Sequence, residues 1–221
     1  MELSLLAWGT LVGLDLVSVP QMMIARPLVA ATVAGLLAGD PVMGVMLGLL
    51  FELFQYDILP FGAVRYPEYG PASVAAVSAA ALMQGAPGLG LGALIGLVTS
   101  LVGGLSMHAL RRINGRVVHR ATLRLETGDP RVLVRLHSAA LARDALRAAL
   151  VTAFGLLLAA LGRNVLALVL PLSGATALAA AAAAAALAAG ASGILRTVGV
   201  GPNLRWFALG LVGGAAVVWL T

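Results

Sequence analysis

Glu52 lies in the run LLFELFQY, an acid set among leucine and phenylalanine, and no other side chain in this sequence is better placed to do chemistry. A charged side chain at the centre of a bilayer costs at least about 2.5 kcal/mol, so a carboxyl group in such a run needs a reason. Two are available. It is either neutral and hydrogen-bonded to the backbone of a broken helix, or it accepts hydrogen bonds from ligand hydroxyls or carries a proton. Arg65 and Glu68 follow in AVRYPEYG, a turn-rich stretch enclosed by apolar runs, where they either pair with each other or touch a ligand. Gln21 and Asp57 add polar groups at the edges of apolar segments, so Glu52, Glu68, Gln21, Asp57 and Arg65 form the candidate substrate-binding set. Asp15, inside the first apolar run, is expected to pair with an arginine near the membrane interface. Asp40, directly before Pro41, is expected to turn the chain between two helix ends.

Motifs for catalysis are poorly represented. Ser173-Gly174 is preceded by Pro171 rather than the glycine of a GxSG protease motif, and His108, His119 and His137 all precede that serine. There is no HExxH, no phosphate-cradling glycine loop and no Cys/His cluster for zinc. The chain is therefore read as having no catalytic groups, cofactor or metal of its own.

The elements that must position these residues are membrane helices. Hydrophobic residues make up 61% of the 221 and charged residues 10%, where a soluble domain carries about 25% charge. Leu3 to Val19 is expected to cross the bilayer with little tilt. Pro20 and Gln21 interrupt it, and Arg26-Pro27 then opens a pair of short runs broken at Asp40-Pro41. As helices, Leu28–Gly39 and Pro41–Phe54 reach only about 18 and 21 Å at about 1.5 Å per residue, against a hydrocarbon core of about 30 Å. Half-spanning helices survive where their free backbone groups face protein or a water-filled cavity, as in transporter substrate sites. Pro71 to Gln84 is a further short run, Gly88 to Leu110 a full span, and Leu146 to Leu161 and Val165 to Leu170 two more segments separated by Arg163-Asn164. The Ala-rich stretch 175–191 is expected to be a tightly packed helix, and Trp206 and Trp219 mark the ends of a last span. Met1-Glu2 lacks the basic start of a cleavable signal, and none is expected.

All fourteen basic residues are arginine. Nine of them lie between Arg111 and Arg147, with no interleaved aromatics, which argues against a nucleic-acid partner. Gly128-Asp129-Pro130 reads as a helix start, with Asp129 capping and Pro130 in the first turn. Arg131, Arg135, Arg143 and Arg147 recur at multiples of four and place a basic stripe on one face. That stripe serves either an interfacial helix held by anionic headgroups or a docking surface for an acidic soluble partner. Both readings put residues 111–147 in the cytoplasm by the positive-inside bias. His137 is expected to be a solvated or capping residue.

These features together resemble the IIC membrane subunit of the mannose/fructose/sorbose-type bacterial phosphotransferase system. The resemblance rests on Arg26-Pro27-Leu28, Gly39-Asp40, Gly44 and Gly48 before Glu52, Gly62-Ala63, Pro67-Glu68 and Ala72-Ser73, which fall in register without a gap. His137, Leu141, Ala145 and Arg147 match the spacing of the family's His-containing cytoplasmic helix, which adds His137 to Arg131, Arg135, Arg143 and Arg147 as a docking candidate. The resemblance implies a single all-helical membrane domain over 1–221, multi-pass in the bacterial inner membrane, with broken helices. It implies a sugar-translocating permease subunit for a hexose, paired with a IID membrane subunit in a trimer of IIC–IID pairs. Cytosolic IIA and IIB proteins would relay phosphate to the sugar. By motif position, Glu52 and Glu68 carry over as sugar contacts. The chain departs from the pattern where PQMMIA leaves only Gln21 polar before Arg26, and where Pro60 stands for an asparagine. These departures keep a non-transporting scaffold or sensor in view, and the residues alone also admit an unrelated transporter using Glu52 as a proton carrier.

Overall fold

The first helix ends early. In a computed structural model, which describes residues 2–56, 58, 65–81, 83, 85–169, 171–198, 205–206 and 209–210, α1 covers Glu2–Asp15, 14 residues rather than the full span expected to Val19. The chain leaves the helix because the Asp15 carboxylate accepts the backbone N–H groups of Met22 at 2.6 Å and Ala25 at 3.0 Å, folding residues 16–25 back on the helix end. Among the described residues, Asp15 thus pairs with backbone donors and not with an arginine.

Two short helices follow, α2 (Pro27–Ala38) and α3 (Pro41–Gln55). Pro27 and Pro41 each open a helix, where the missing N–H costs no hydrogen bond. Gly39 closes α2 in the left-handed region at φ 83°, which a residue without Cβ adopts freely. Asp40 accepts the Met43 N–H at 2.9 Å, so the sharp reversal expected at Gly39-Asp40-Pro41 is present, capped on both sides.

The two helices then run back to back at backbone distance. A Cβ on Gly44 would lie 2.5 Å from the Ala31 carbonyl oxygen, and one on Gly48 would lie 2.9 Å from Leu28 Cα. Gly44, Gly48 and Glu52 repeat every four residues and share one face of α3. The seam that needs glycine therefore delivers Glu52 to the start of α2. Gly44→Ala is expected to cost about 1–3 kcal/mol, because backbone and not a flexible side chain must yield. A thermal denaturation midpoint equal to the parent's would show that α2 and α3 are not closely packed.

The remaining helices are α4 (Tyr69–Ala80), α5 (Gly85–Arg120), α6 (Thr122–Glu126), α7 (Pro130–Val169) and α8 (Leu172–Val198). α4 is buried along almost its whole length and is surrounded by α1, α2, α3, α5 and α7. Phe51, Phe54 and Tyr69 cluster where α3 meets α4, with ring centroids 5.7 Å apart for Phe51–Tyr69 and 6.2 Å for Phe54–Tyr69. Gly96 of α5 accommodates the Phe51 ring. α8 packs through one face, Ala175, Ala179, Ala182 and Ala186, and leaves Leu187 exposed, so the tight packing expected of the Ala-rich stretch is one-sided.

α7 is continuous over 40 residues and passes through Arg163-Asn164, where the sequence suggested a separation. A helical backbone saturates its own hydrogen bonds, so two polar side chains in line do not stop it. Asp129 accepts the Arg131 N–H at 2.9 Å, giving the start expected at Gly128-Asp129-Pro130. Gly85–Arg120, Pro130–Gly162 and Leu172–Ser192 are long and apolar enough to cross a bilayer. Trp206 is exposed, and Trp219 lies outside the described residues.

Candidate functional site

Where the chain breaks between α1 and α2, and α3 ends beside it, a cleft of about 220 Å³ opens. Its polar lining is Asp15, Gln21, Arg26 and Gln55, with Leu16, Met23, Ala25 and Ile58 between them. The volume is below the roughly 300–1,000 Å³ of pockets for drug-sized ligands, and suits something smaller. Gln55 also lines a small adjoining cavity with Tyr66, Pro67 and Tyr69, so the cleft borders the segment before α4.

Each polar group is held from a helix end. Asp15 is 2% exposed and keeps the loop 16–25 in shape, including Gln21 and Met23 at φ 59° and 63°. Such left-handed conformations cost a non-glycine residue about 1–3 kcal/mol and persist only when the surroundings impose them. Arg26 donates from Nη2 to Glu52 Oε1, and Glu52 Oε2 accepts the Leu28 N–H at 3.2 Å. The carboxylate thus complements the positive end of α2 while holding the guanidinium. Glu52 meets broken-helix backbone, as one reading of the sequence expected, but with Arg26 as an ion-pair partner in place of the neutral acid of that reading, and it reaches the cleft through Arg26. Two uncharged amides, an ion pair and one carboxylate offer donors and acceptors in comparable supply.

Glu68 lies elsewhere. It is fully buried, and Arg147 of α7 holds both of its oxygens, Nη2 to Oε1 at 2.9 Å and Nη1 to Oε2. Arg147 Nε also donates to Asp144 Oδ1 at 2.8 Å and Nη2 to the Gly13 carbonyl at 3.2 Å, while Ser18 Oγ donates to Asp144. One guanidinium therefore ties α7 to the end of α1 and to the segment entering α4.

This arrangement corrects two expectations. Arg147 is 7% exposed and cannot belong to a docking stripe; the face that Arg131 and Arg135 present to solvent turns inward once α7 meets α1 and α4. Arg65 does not pair with Glu68: it is exposed, with Nη2 3.5 Å from His108 Nε2, in a groove apart from the cleft. Arg131, Arg135 and His137 are exposed and Arg143 is half-buried.

A family model for the sorbose-specific IIC component of the phosphotransferase system matches residues 2–218. The chain belongs to this family. Among similar proteins, the sorbose-specific EIIC component of Lacticaseibacillus casei is 28% identical over 145 residues, covering 66% of this chain and 51% of that protein. The sorbose-specific EIIC component of Klebsiella pneumoniae is 34% identical over 125 residues, covering 57% and 46%. The fructose permease IIC component of Bacillus subtilis (strain 168) is 30% identical over 122 residues, covering 55% and 45%. The chain thus spans about half the length of the curated relatives it matches. Two solved structures share its fold, each covering 97% of this chain and 85% of the other. One is described as a membrane protein, with TM-score 0.74 and 20% identity. The other is a complex of the mannose transporter ManYZ with microcin E492, with TM-score 0.51 and 19% identity.

This IIC-family chain is therefore an all-helical membrane protein, and family membership removes the unrelated proton-carrier reading. Of the expected site residues, Gln21 lines the cleft and Glu52 holds one of its walls, while Glu68 and Arg65 are engaged elsewhere. Asp57 lies outside the described residues, as do Pro60 and Gly62-Ala63. Sequence reasoning missed Gln55 and gave Arg26 only a boundary role. Gln55 follows Glu52 by three residues and so shares its face of α3, a spacing that was available as a signal.

Proposed function

We propose that this chain is the sugar-translocating IIC subunit of a phosphotransferase system, binding a hexose in the cleft between α1, α2 and α3. The observation that carries the reading is the cleft itself: small, built at a helix break, and lined by amides, a guanidinium and a carboxylate. Such helix breaks at membrane depth line substrate sites because freed backbone groups need a polar surface. The sugar class follows the relatives, whose names specify sorbose and fructose. The membrane partner is a IID subunit, in a trimer of IIC–IID pairs in the bacterial inner membrane, and cytosolic IIA and IIB carriers relay the phosphate. The exposed apolar side chains of the short helices, Leu36, Val42, Met46 and Leu49, support burial against lipid or a membrane partner. Arg131, Arg135 and His137 support a cytoplasmic docking face, with Arg143 at its edge.

Glu52→Gln tests the site. It keeps the volume but removes the ion pair that holds Arg26, and charge-assisted bonds are roughly twice as strong as neutral ones. Affinity for radiolabelled sorbose or fructose is expected to fall about tenfold, the effect of about 1.4 kcal/mol, with assembly retained. Unchanged affinity in an assembled protein would remove Glu52 and Arg26 from the site. A second reading, a membrane scaffold that recruits phosphocarriers without moving sugar, is favoured by Met23, a thioether where the resemblance implies a polar group. Normal assembly with no sugar binding by the parent protein would select it.

A further inference from the structure

The segment entering α4 crosses α5 at a glycine. A Cβ on Gly104 would lie 2.1 Å from the Tyr66 carbonyl oxygen and 3.3 Å from Pro67 Cα, so the loop rests directly on the helix backbone. Beside this crossing runs an open groove of about 330 Å³, lined by Arg65, Tyr66, Pro67, Leu101, Gly104 and Leu105. Leu101 and Leu105 are 59% and 64% exposed, apolar surface that a membrane-spanning helix turns to acyl chains or to a partner.

The groove is apolar along its length and basic at one end. Leu101, Leu105, His108 and Arg112 succeed one another at spacings of four, three and four, on one face of α5. Arg65 comes to His108 from the loop, Nη2 to Nε2 at 3.5 Å, and Arg112 is exposed one turn further on. The neighbouring Arg111 and Arg116 mark the level at which α5 leaves the apolar layer. From Leu101 to Arg112 the helix advances about 16 Å at about 1.5 Å per residue. Acyl-chain surface, then a cluster of cations at the interface, is the order of a phospholipid read from tail to phosphate.

We propose that this groove is a specific site for an anionic phospholipid, its chain lying along Leu101, Gly104 and Leu105 and its phosphate held by Arg65, His108 and Arg112. A soluble anion would gain nothing from the apolar length of the groove, and in a zwitterionic lipid the ammonium beside the phosphate offsets part of the attraction to its basic end. The site lies apart from the sugar cleft and stands whether or not the chain moves sugar.

Native mass spectrometry tests it, on the protein in the assembly in which it is purified, titrated with phosphatidylglycerol or phosphatidylcholine. Phosphatidylglycerol is expected to be retained at least fivefold better. Arg65→Gln should reduce that retention about fivefold, the effect of about 1 kcal/mol per basic residue at an anionic surface, and reduce that of phosphatidylcholine less. Arg112→Gln, on an exposed helical position, should act the same way and replaces Arg65→Gln should that variant not fold. Arg205→Gln, at an exposed arginine that does not line the groove, should change nothing. Equal retention of the two lipids, or parent-like retention in Arg65→Gln and Arg112→Gln, would overturn the proposal. Displacement of phosphatidylglycerol by millimolar inorganic phosphate would make this a free-anion site. A photo-crosslinker at Leu105 that captures protein rather than lipid in membranes would make it a subunit surface.

Discussion

Arg147→Met is expected to be the most destabilising single substitution in the described part of the chain, at about 3–5 kcal/mol, the usual cost of breaking a buried ion pair by removing one partner. The guanidinium serves Glu68, Asp144 and the Gly13 carbonyl together, and the two acids have almost no access to water. Removing it leaves two carboxylates buried without their cation. Arg147→Lys should rescue little, because an ammonium cannot reproduce the planar fork that reaches three partners. Glu68→Gln combined with Arg147→Met should recover part of the loss, since one of the stranded charges is gone. The readout is the thermal midpoint and monodispersity of the solubilised protein. A parent-like midpoint for Arg147→Met would mean that this network does not hold α7 to α1 and α4.

Asp15→Ala should weaken sugar binding more than tenfold while leaving the helices in place. The carboxylate accepts two loop N–H groups, and the Ala25 donor is buried with it. A buried donor left unpaired costs about 1–3 kcal/mol, and nothing else in that set of bonds would compensate the left-handed conformations of Gln21 and Met23. The loop relaxes, and Gln21 and Arg26 lose their places in the cleft. Affinity for sorbose or fructose is expected to fall more than tenfold with unchanged far-ultraviolet circular dichroism. Asp15→Asn, which keeps one acceptor oxygen, should be intermediate. Full affinity in Asp15→Ala would place the sugar elsewhere.

The parts of this architecture that rest on local chemistry were legible in the sequence. Pro27, Gly39, Asp40 and Pro41 act within a few residues of themselves, and the α2–α3 reversal follows from them. Gly44, Gly48 and Glu52 entered only as part of the family resemblance, and the seam they form became visible in the structure. What was not legible depends on partners distant in the chain. Helix α1 was expected to continue to Val19 because only Ser18 interrupts the apolar character of residues 16–19, whereas a carboxylate folding the next ten residues back ends it at Asp15. Arg147 looked like one more member of a basic stripe, since periodicity does not report where a helix stops meeting solvent and starts meeting other helices. Its partner Glu68 lies 79 residues away, and Arg65, three residues from Glu68, was the nearer candidate. Sequence proximity suggested one pair, and packing of α7 against α1 and α4 made another.

We propose that the chain carries sugar through a phosphorelay-dependent permease. This is tested by uptake of radiolabelled sorbose and fructose in cells producing it with its IID, IIA and IIB partners, with the relay intact or interrupted at the IIB phosphohistidine. Label should accumulate as sugar phosphate only with the relay intact, and Glu52→Gln and Asp15→Ala should lower it in the order of their effects on binding. Uptake of unmodified sugar independent of the relay, or no uptake from a correctly assembled complex, would contradict it.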